Sequence, residues 1–212
     1  MQLLDNFTSE SLYSEGKNDD ISYGFLPIIN GEFLVQPIRR EIRKLLKRNG
    51  LSRFKNTLEF GCGLEENFSF LSSLTERYYG VDFTKEENPQ GQDNIVAFKG
   101  NYLPFGDCSF DLICSFWILQ YIVAGHKLCQ IVKEFHRILK PHSYVLICEK
   151  SSGLEGSRLP EEYISIFRSL SFELSDIRKI RKKRLSLFSY ERADLFKKYT
   201  EEGDNIYIFQ RK

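Results

Sequence analysis

The amino-acid sequence predicts an α/β fold: a doubly wound, mostly parallel seven-stranded sheet with helices on both faces and an antiparallel last strand. Three observations predict it. Short apolar runs alternate with helical periodicities between residues 35 and 150, the order that builds a parallel sheet. Those runs are largely continuous in apolar residues, as in strands covered on both faces. A turn with two glycines, Gly61-Cys62-Gly63, follows the first run, where sheets of this kind bind their ligands.

The elements follow in chain order. Residues 1–33 mix Tyr13, Tyr23 and Phe25 with polar residues and read as an extension or candidate lid, and residues 34–212 as one domain. In "VQPIRREIRKLLKRNGL", Ile38, Ile42, Leu45 and Leu46 recur at helical spacing, and Asn49-Gly50 supplies a left-handed stop. "NTLEF" is the first strand, and residues 66–75 form a helix with Phe68, Leu71 and Leu74 on one stripe. "RYYGVDF", "NIVAFK" and "SFDLICSF" are strands two to four; a helix spans about 125–139, and "SYVLICEK" is strand five. "FELSDIRKI" and "NIYIFQRK" make a hairpin-like pair at one edge, with a helix near 189–199 between them and a tight Gly203-Asp204-Asn205 turn before the last strand.

Composition narrows the function classes. The 30 basic and 29 acidic side chains nearly cancel, which argues against a surface devoted wholly to nucleic acid. No stretch reaches the roughly 18 apolar residues of a membrane span, and the N-terminus lacks the basic start and apolar centre of a secretory signal, so the cytoplasm is the default compartment. The five cysteines are odd in number with no CxxC pair, the pattern of reduced, mostly buried thiols. The three histidines form no HExxH, and no metal site is expected.

The glycine turn admits two readings, a tight turn without a ligand or a loop bared for close approach. Asp82 ends the second strand, 23 positions after Glu59, where a carboxylate accepts ribose hydroxyls in nucleotide-binding sheets. A dinucleotide fingerprint needs a third glycine at position 66, and Glu66 stands there beside Glu65. Two carboxylates at a helix N-terminus suit its dipole but repel a pyrophosphate seeking the same amides. The pattern therefore favours a ligand with a ribose, a cationic or neutral head and no phosphate. S-adenosylmethionine has that chemistry.

Four linked segments carry a family resemblance. "LEFGCGLEENFSFL", "YGVDFT", "GNYLPFGDCSFDLICSFWILQYI" and "EFHRILKPHSYVLICE" resemble, in order and spacing, the motifs of the class I S-adenosylmethionine-dependent methyltransferases, most closely the small-molecule branch with its Rossmann-like sheet. The likeness covers about residues 40–150. It departs at Glu65 for the third glycine of GxGxG, at Asn101 for the acid that holds the adenine amino group, and at His142-Ser143 for a glycine pair. The resemblance implies S-adenosylmethionine as cofactor, S-adenosylhomocysteine as product, and methyl transfer by in-line displacement to a small molecule; RNA or protein methylation and a non-catalytic cofactor binder are the alternatives.

The same resemblance implies site roles. Glu59, Gly61 and Gly63 hold the methionine end, Asp82 the ribose, Phe83 the adenine ring, Asn101 and Tyr102 the base edge, and Phe116 the methionine portion. For Phe83 and Phe116 ordinary core packing is an equal alternative, and for Asp82 a cap before "TKEEN". Candidates for a general base are Tyr121, His126 and Glu149, each with a plainer role open to it: a solvated helix start for His126, a paired acid for Glu149. Trp117, Ile118 and Leu119 form either a pocket lip or the core of a short helix. "RKIRKKR" (Arg178, Lys179, Arg181, Lys182, Lys183, Arg184) reads as a solvated strand end or a grip on phosphate. A nicotinamide reductase is dismissed, because its YxxxK pair, Tyr13 and Lys17, precedes the glycine turn. Oligomeric state is not encoded legibly.

Overall fold

The computed structural model describes residues 32–63, 67–82, 94–97, 102–122, 124–150, 158–180 and 204–212. Its elements run α1 (Glu32–Arg48), β1 (Phe54–Phe60), α2 (Phe68–Ser72), β2 (Thr75–Asp82), β3 (Ile95–Ala97), β4 (Phe110–Phe116), a 3-10 turn (Leu119–Tyr121), α3 (Gly125–Ile138), β5 (Leu139–Lys150), α4 (Pro160–Ser169), β6 (Phe172–Ile180) and β7 (Asp204–Arg211). The seven strands form one sheet in the order β3-β2-β1-β4-β5-β7-β6. Neighbours from β3 to β5 pair in parallel, whereas β7 pairs antiparallel with both β5 and β6. Strand order reverses between β1 and β4, which opens a crevice at their carboxyl ends.

Both faces of the sheet are covered, which explains the continuous apolar runs. On β1, Leu58 and Phe60 join one core with Val145 and Ile147 of β5, Tyr207 and Phe209 of β7, and the buried faces of α3 and α4. The residues between them point the other way. Leu112, Cys114, Phe116, Leu146, Cys148, Ile206 and Ile208 pack under Ile38, Ile42, Leu45 and Leu46 of α1 and under α2. The period of two in a strand thus fills two cores from one run of apolar residues. The helix stop at Asn49-Gly50 forms as expected. Gly50 sits at φ 72, its N–H meets the Lys47 carbonyl at 3.1 Å, and the Leu51 N–H meets the Leu46 carbonyl at 2.9 Å.

Several boundaries differ from the sequence expectation. The helix expected over 66–75 is only Phe68–Ser72 long, because Ser73 Oγ donates back to the Phe70 carbonyl at 2.5 Å and Thr75 already pairs in β2. Phe68 lies 37% exposed rather than on a buried stripe, its ring edge-on to Tyr78. The expected turn at Asp204-Asn205 is strand: Asp204 stands opposite both Lys150 and Ile180, and its buried carboxylate accepts the Trp117 Nε1–H at 3.2 Å. Helix α4 was not anticipated, although Pro160 opens it, the Glu162 carboxylate accepts the Leu159 N–H at 2.7 Å, and Tyr163 and Phe167 are buried four residues apart. The expected helix at 189–199 and residues 1–31 of the extension expected over 1–33 lie outside the described residues, and Glu32 and Phe33 already belong to α1. Among the described residues no helix is long and apolar enough to cross a membrane.

Candidate cofactor crevice

The glycine turn closes by main-chain bonds to the end of β2. The N–H groups of Gly61 and Cys62 both meet the Val81 carbonyl, at 2.8 and 3.1 Å. Gly63 N–H then donates to Asp82 Oδ2 at 2.7 Å, so the second strand's terminal acid is bound directly to the turn. Both glycines are left-handed, Gly61 at φ 79 and Gly63 at φ 50. Their surroundings differ. A Cβ on Gly61 would stand 2.3 Å from Ile118 Cγ1, whereas one on Gly63 meets nothing within 4 Å. Gly61 is bare so that Ile118 can pack on it, and Gly63 is the position with open space around it.

Glu59, next to last in β1, is fully enclosed, at 1% exposure. Tyr78 OH donates to its Oε2 at 2.6 Å and Asn67 Nδ2 to its Oε1 at 2.8 Å, while Arg39 of α1 reaches the Asn67 side-chain oxygen at 3.4 Å. Burial pushes the Glu59 carboxyl up to about 7 and Asp82 pushes the same way, against the pull of Tyr78, Asn67 and Arg39. Two carboxylates that repel each other at one turn suit a ligand carrying positive charge and oppose a pyrophosphate. Among the residues assigned to the cofactor, Glu59, Gly61, Gly63 and Asp82 therefore come together, and their chemistry fits a ribose-bearing cation.

The other assigned residues divide. Phe83 and Asn101 lie outside the described residues, as do Arg181, Lys182, Lys183 and Arg184. Phe116 is buried under α1, so its ring belongs to the core. Tyr102 is exposed, with the Arg137 guanidinium 4.1 Å over its ring. His126 is exposed at the start of α3 and Tyr121 is half-buried in the 3-10 turn. Glu149 is fully buried and accepts main-chain N–H bonds from Ile118, Leu119 and Gln120 at 3.1, 2.9 and 3.2 Å. Arg178 pairs with Glu41 of α1 at 2.5 Å.

One pair escaped the sequence reading of the site, although its motif had been recognised. Glu134 of α3 accepts the Leu103 N–H at 2.9 Å and grips Arg137 through both oxygens. Arg137 in turn donates to the carbonyls of Leu103 and Phe105 and to Asp107. The charged pair one helical turn apart thus pins the 103–107 loop that leads into β4. Glu134 holds the Arg137 guanidinium above its ordinary range.

Comparison with known proteins agrees with this geometry. Residues 58–147 match the family of methyltransferase domains. A protein of Encephalitozoon cuniculi whose name assigns it to the methyltransferases is 26% identical over 110 residues, 52% of each chain. A sterol 4-C-methyltransferase of Caenorhabditis elegans is 25% identical over 126 residues, 54% of this chain and 37% of that one. The chain thus spans about half the length, or less, of the curated relatives it matches. The N-methyltransferase NodS of Bradyrhizobium japonicum, solved also with S-adenosyl-L-homocysteine, superposes with a TM-score of 0.60 at 15% identity, over 82% of this chain and 97% of that one. Residues 58–147 are thus similar to methyltransferase domains, and the chain shares its fold with solved S-adenosylmethionine-dependent methyltransferases.

Proposed function

We propose that the protein transfers a methyl group from S-adenosylmethionine to a small-molecule acceptor. The observation that carries the reading is the bond from Gly63 N–H to Asp82 Oδ2 beside open space at Gly63, with Glu59 buried next to it. Asp82 accepts the ribose hydroxyls. Asp82 presents negative charge to the cationic ligand, and Glu59, its oxygens held by Tyr78 and Asn67, fixes the turn beside it. Gly63 lets the ligand approach the main chain. When bound, S-adenosylmethionine supplies a methyl carbon on a positive sulfur, whose departure as a neutral thioether needs no acid. The protein's part is alignment of the acceptor with that carbon, and residues 117–122, after β4, form the wall against which the acceptor rests. A hydroxyl or ammonium acceptor also needs a base. Tyr121 and His126 are the candidates, because the Glu149 carboxylate is occupied by three amides. The small-molecule class is supported by the names of NodS and of the sterol methyltransferase.

A nucleic-acid acceptor is the second reading. It is supported by the outward face of α1, where Arg40, Arg43, Lys44, Lys47 and Arg48 are exposed, next to Arg178 and Lys179 of β6. Glu41 and Asp176 neutralise part of that face through Arg178, Lys44 and Arg48, which favours the small molecule.

Calorimetry with S-adenosylhomocysteine and with NAD tests the cofactor. Binding of the first and not the second is expected, and the reverse overturns the reading. Release of S-adenosylhomocysteine is then followed against panels of small amines, alcohols and lipids, and against RNA. Turnover confined to RNA would replace the small-molecule assignment with the second reading.

A further inference from the structure

The segment Trp117–Ile122 has a shape its own sequence does not favour. It contains no glycine, yet Trp117 sits at φ 58, a left-handed conformation that residues with a side chain rarely adopt. Leu119, Gln120 and Ile122 are buried, and buried main-chain groups outside a regular helix or sheet need partners. Two side chains from beyond β4 supply them. Glu149, at the end of β5, accepts the N–H groups of three successive residues, Ile118, Leu119 and Gln120. Arg158, in the approach to α4 and itself buried, donates to the carbonyls of Leu119 at 3.3 Å and Ile122 at 2.5 Å. One side chain neutralises the donors and the other the acceptors of the same turn. The Trp117 indole is tied separately, by Nε1–H to Asp204 of β7. The turn so held carries Ile118, whose side chain fills the space over Gly61.

We propose that Glu149 and Arg158 are positioning residues of the cofactor crevice: they clamp the 117–122 lip from both sides, press Ile118 onto Gly61, and so make the lip and the glycine turn one rigid unit. This rests on the cofactor reading above and extends it to residues 27 and 36 positions past the end of the lip. A carboxylate bound on all sides by amides beneath a loop does not meet substrate, so Glu149 is not the base. The fit also explains why a side chain at position 61 is excluded even before any ligand binds.

Trp117 is the only tryptophan in the chain, so its fluorescence reports the lip directly. The test compares Glu149→Gln, Arg158→Met, Arg158→Lys and Ile118→Ala, each checked for folding by far-UV circular dichroism. Glu149→Gln places an amide N–H2 against main-chain N–H groups, and Arg158→Met removes the donor to the Ile122 carbonyl and leaves the Leu119 carbonyl with the Ile122 N–H alone. Both are expected to shift Trp117 emission and to weaken S-adenosylhomocysteine by about fivefold or more, the size of an ordinary coupling between linked sites. Arg158→Lys, which keeps a buried donor, recovers most of that affinity. Ile118→Ala keeps the clamp but empties the space over Gly61, so affinity falls while Trp117 emission holds. Should Glu149→Gln fail to fold, the Arg158 and Ile118 variants decide the matter. Folded Glu149 and Arg158 variants with unchanged emission and unchanged affinity overturn the proposal. Loss of turnover alone in Glu149→Gln, with both other readouts intact, also overturns it by making Glu149 a base. If the wild type does not bind S-adenosylhomocysteine, the cofactor reading fails, while the emission of the two clamp variants still tests whether the clamp exists.

Discussion

The glycine turn and the lip face each other across the crevice and are built by opposite means. The turn, residues 61–63, is shaped by local resources: left-handed glycines and main-chain bonds to the adjacent strand end, completed by Asp82. The lip, residues 117–122, has no glycine; beside its main-chain bonds to Cys148 and within the 3-10 turn, it depends on Glu149, Arg158 and Asp204, side chains 29 to 87 positions away. They meet at one contact, Ile118 over Gly61. A crevice of this kind has one wall that local sequence specifies and one wall that the rest of the fold must impose.

The largest effect that sharpens the comparison comes from the two glycines. Gly61→Ala combines left-handed strain with overlap of Ile118, which together should destabilise the protein by about 2–4 kcal/mol. Gly63→Ala carries strain alone, because nothing lies within 4 Å of its added Cβ, so the loss is about 1 kcal/mol. Thermal unfolding of the two variants should separate them clearly; equal melting temperatures would mean that the lip does not press on the turn.

Asp82→Ala comes next. It removes charge-assisted bonds of roughly 1.5–3 kcal/mol, so calorimetry should show S-adenosylhomocysteine binding about tenfold weaker or more. Unchanged affinity would detach the ribose from the local wall of the crevice.

A smaller effect follows from pH, with one carboxyl on each side of the comparison. Burial raises Glu59 to about 7 and Glu149 to about 8 from an ordinary 4.5. The folded protein therefore holds protons that the unfolded chain has already released across that interval, so unfolding releases them and stability falls as pH rises from about 5 to 8. Melting temperature should decline over that range. Glu59→Gln should remove the part of the decline near pH 7, and a slope that Glu59→Gln leaves intact would assign the whole effect to the lip.

The smallest is a control outside both walls. His142 is exposed and left-handed at φ 61, in the irregular stretch where β5 slips register against β4. It stands where the resemblance leads one to expect glycine. His142→Gly relieves the strain at some entropic cost, and should stabilise by about 0.5–1 kcal/mol without changing affinity. A change in cofactor affinity in this variant would show that the walls communicate with the far end of the sheet.

What was legible in the sequence tracks this division. The order of β1 to β5 and the α1 stop could be read because a strand covered on both faces leaves a continuous apolar run and a helix leaves a period near four. The pairing of Gly63 with Asp82 was foreshadowed by the spacing of the turn and the second acid. Helix α4 is legible in Pro160, Glu162 and the Tyr163–Phe167 spacing, although its 10 residues carry a weaker apolar stripe than α1 and α3. Glu149 was placed correctly at the crevice end of β5, but its partners are amides about 30 positions earlier, and main-chain amides carry no sequence signal. For Phe116 the resemblance and core packing were open alternatives, and the sequence could not show that α1 covers the face of β4 on which its ring lies.

By itself, then, the amino-acid sequence determined the layered α/β architecture and the chemistry of the glycine wall, because periodicity and backbone freedom are properties of neighbours along a chain. The tertiary structure alone decided that Ile118 packs on Gly61, and that a carboxylate and a guanidinium from beyond β4 hold the opposite wall. Those facts depend on which atoms approach one another through space, and residue order fixes that only through the completed fold.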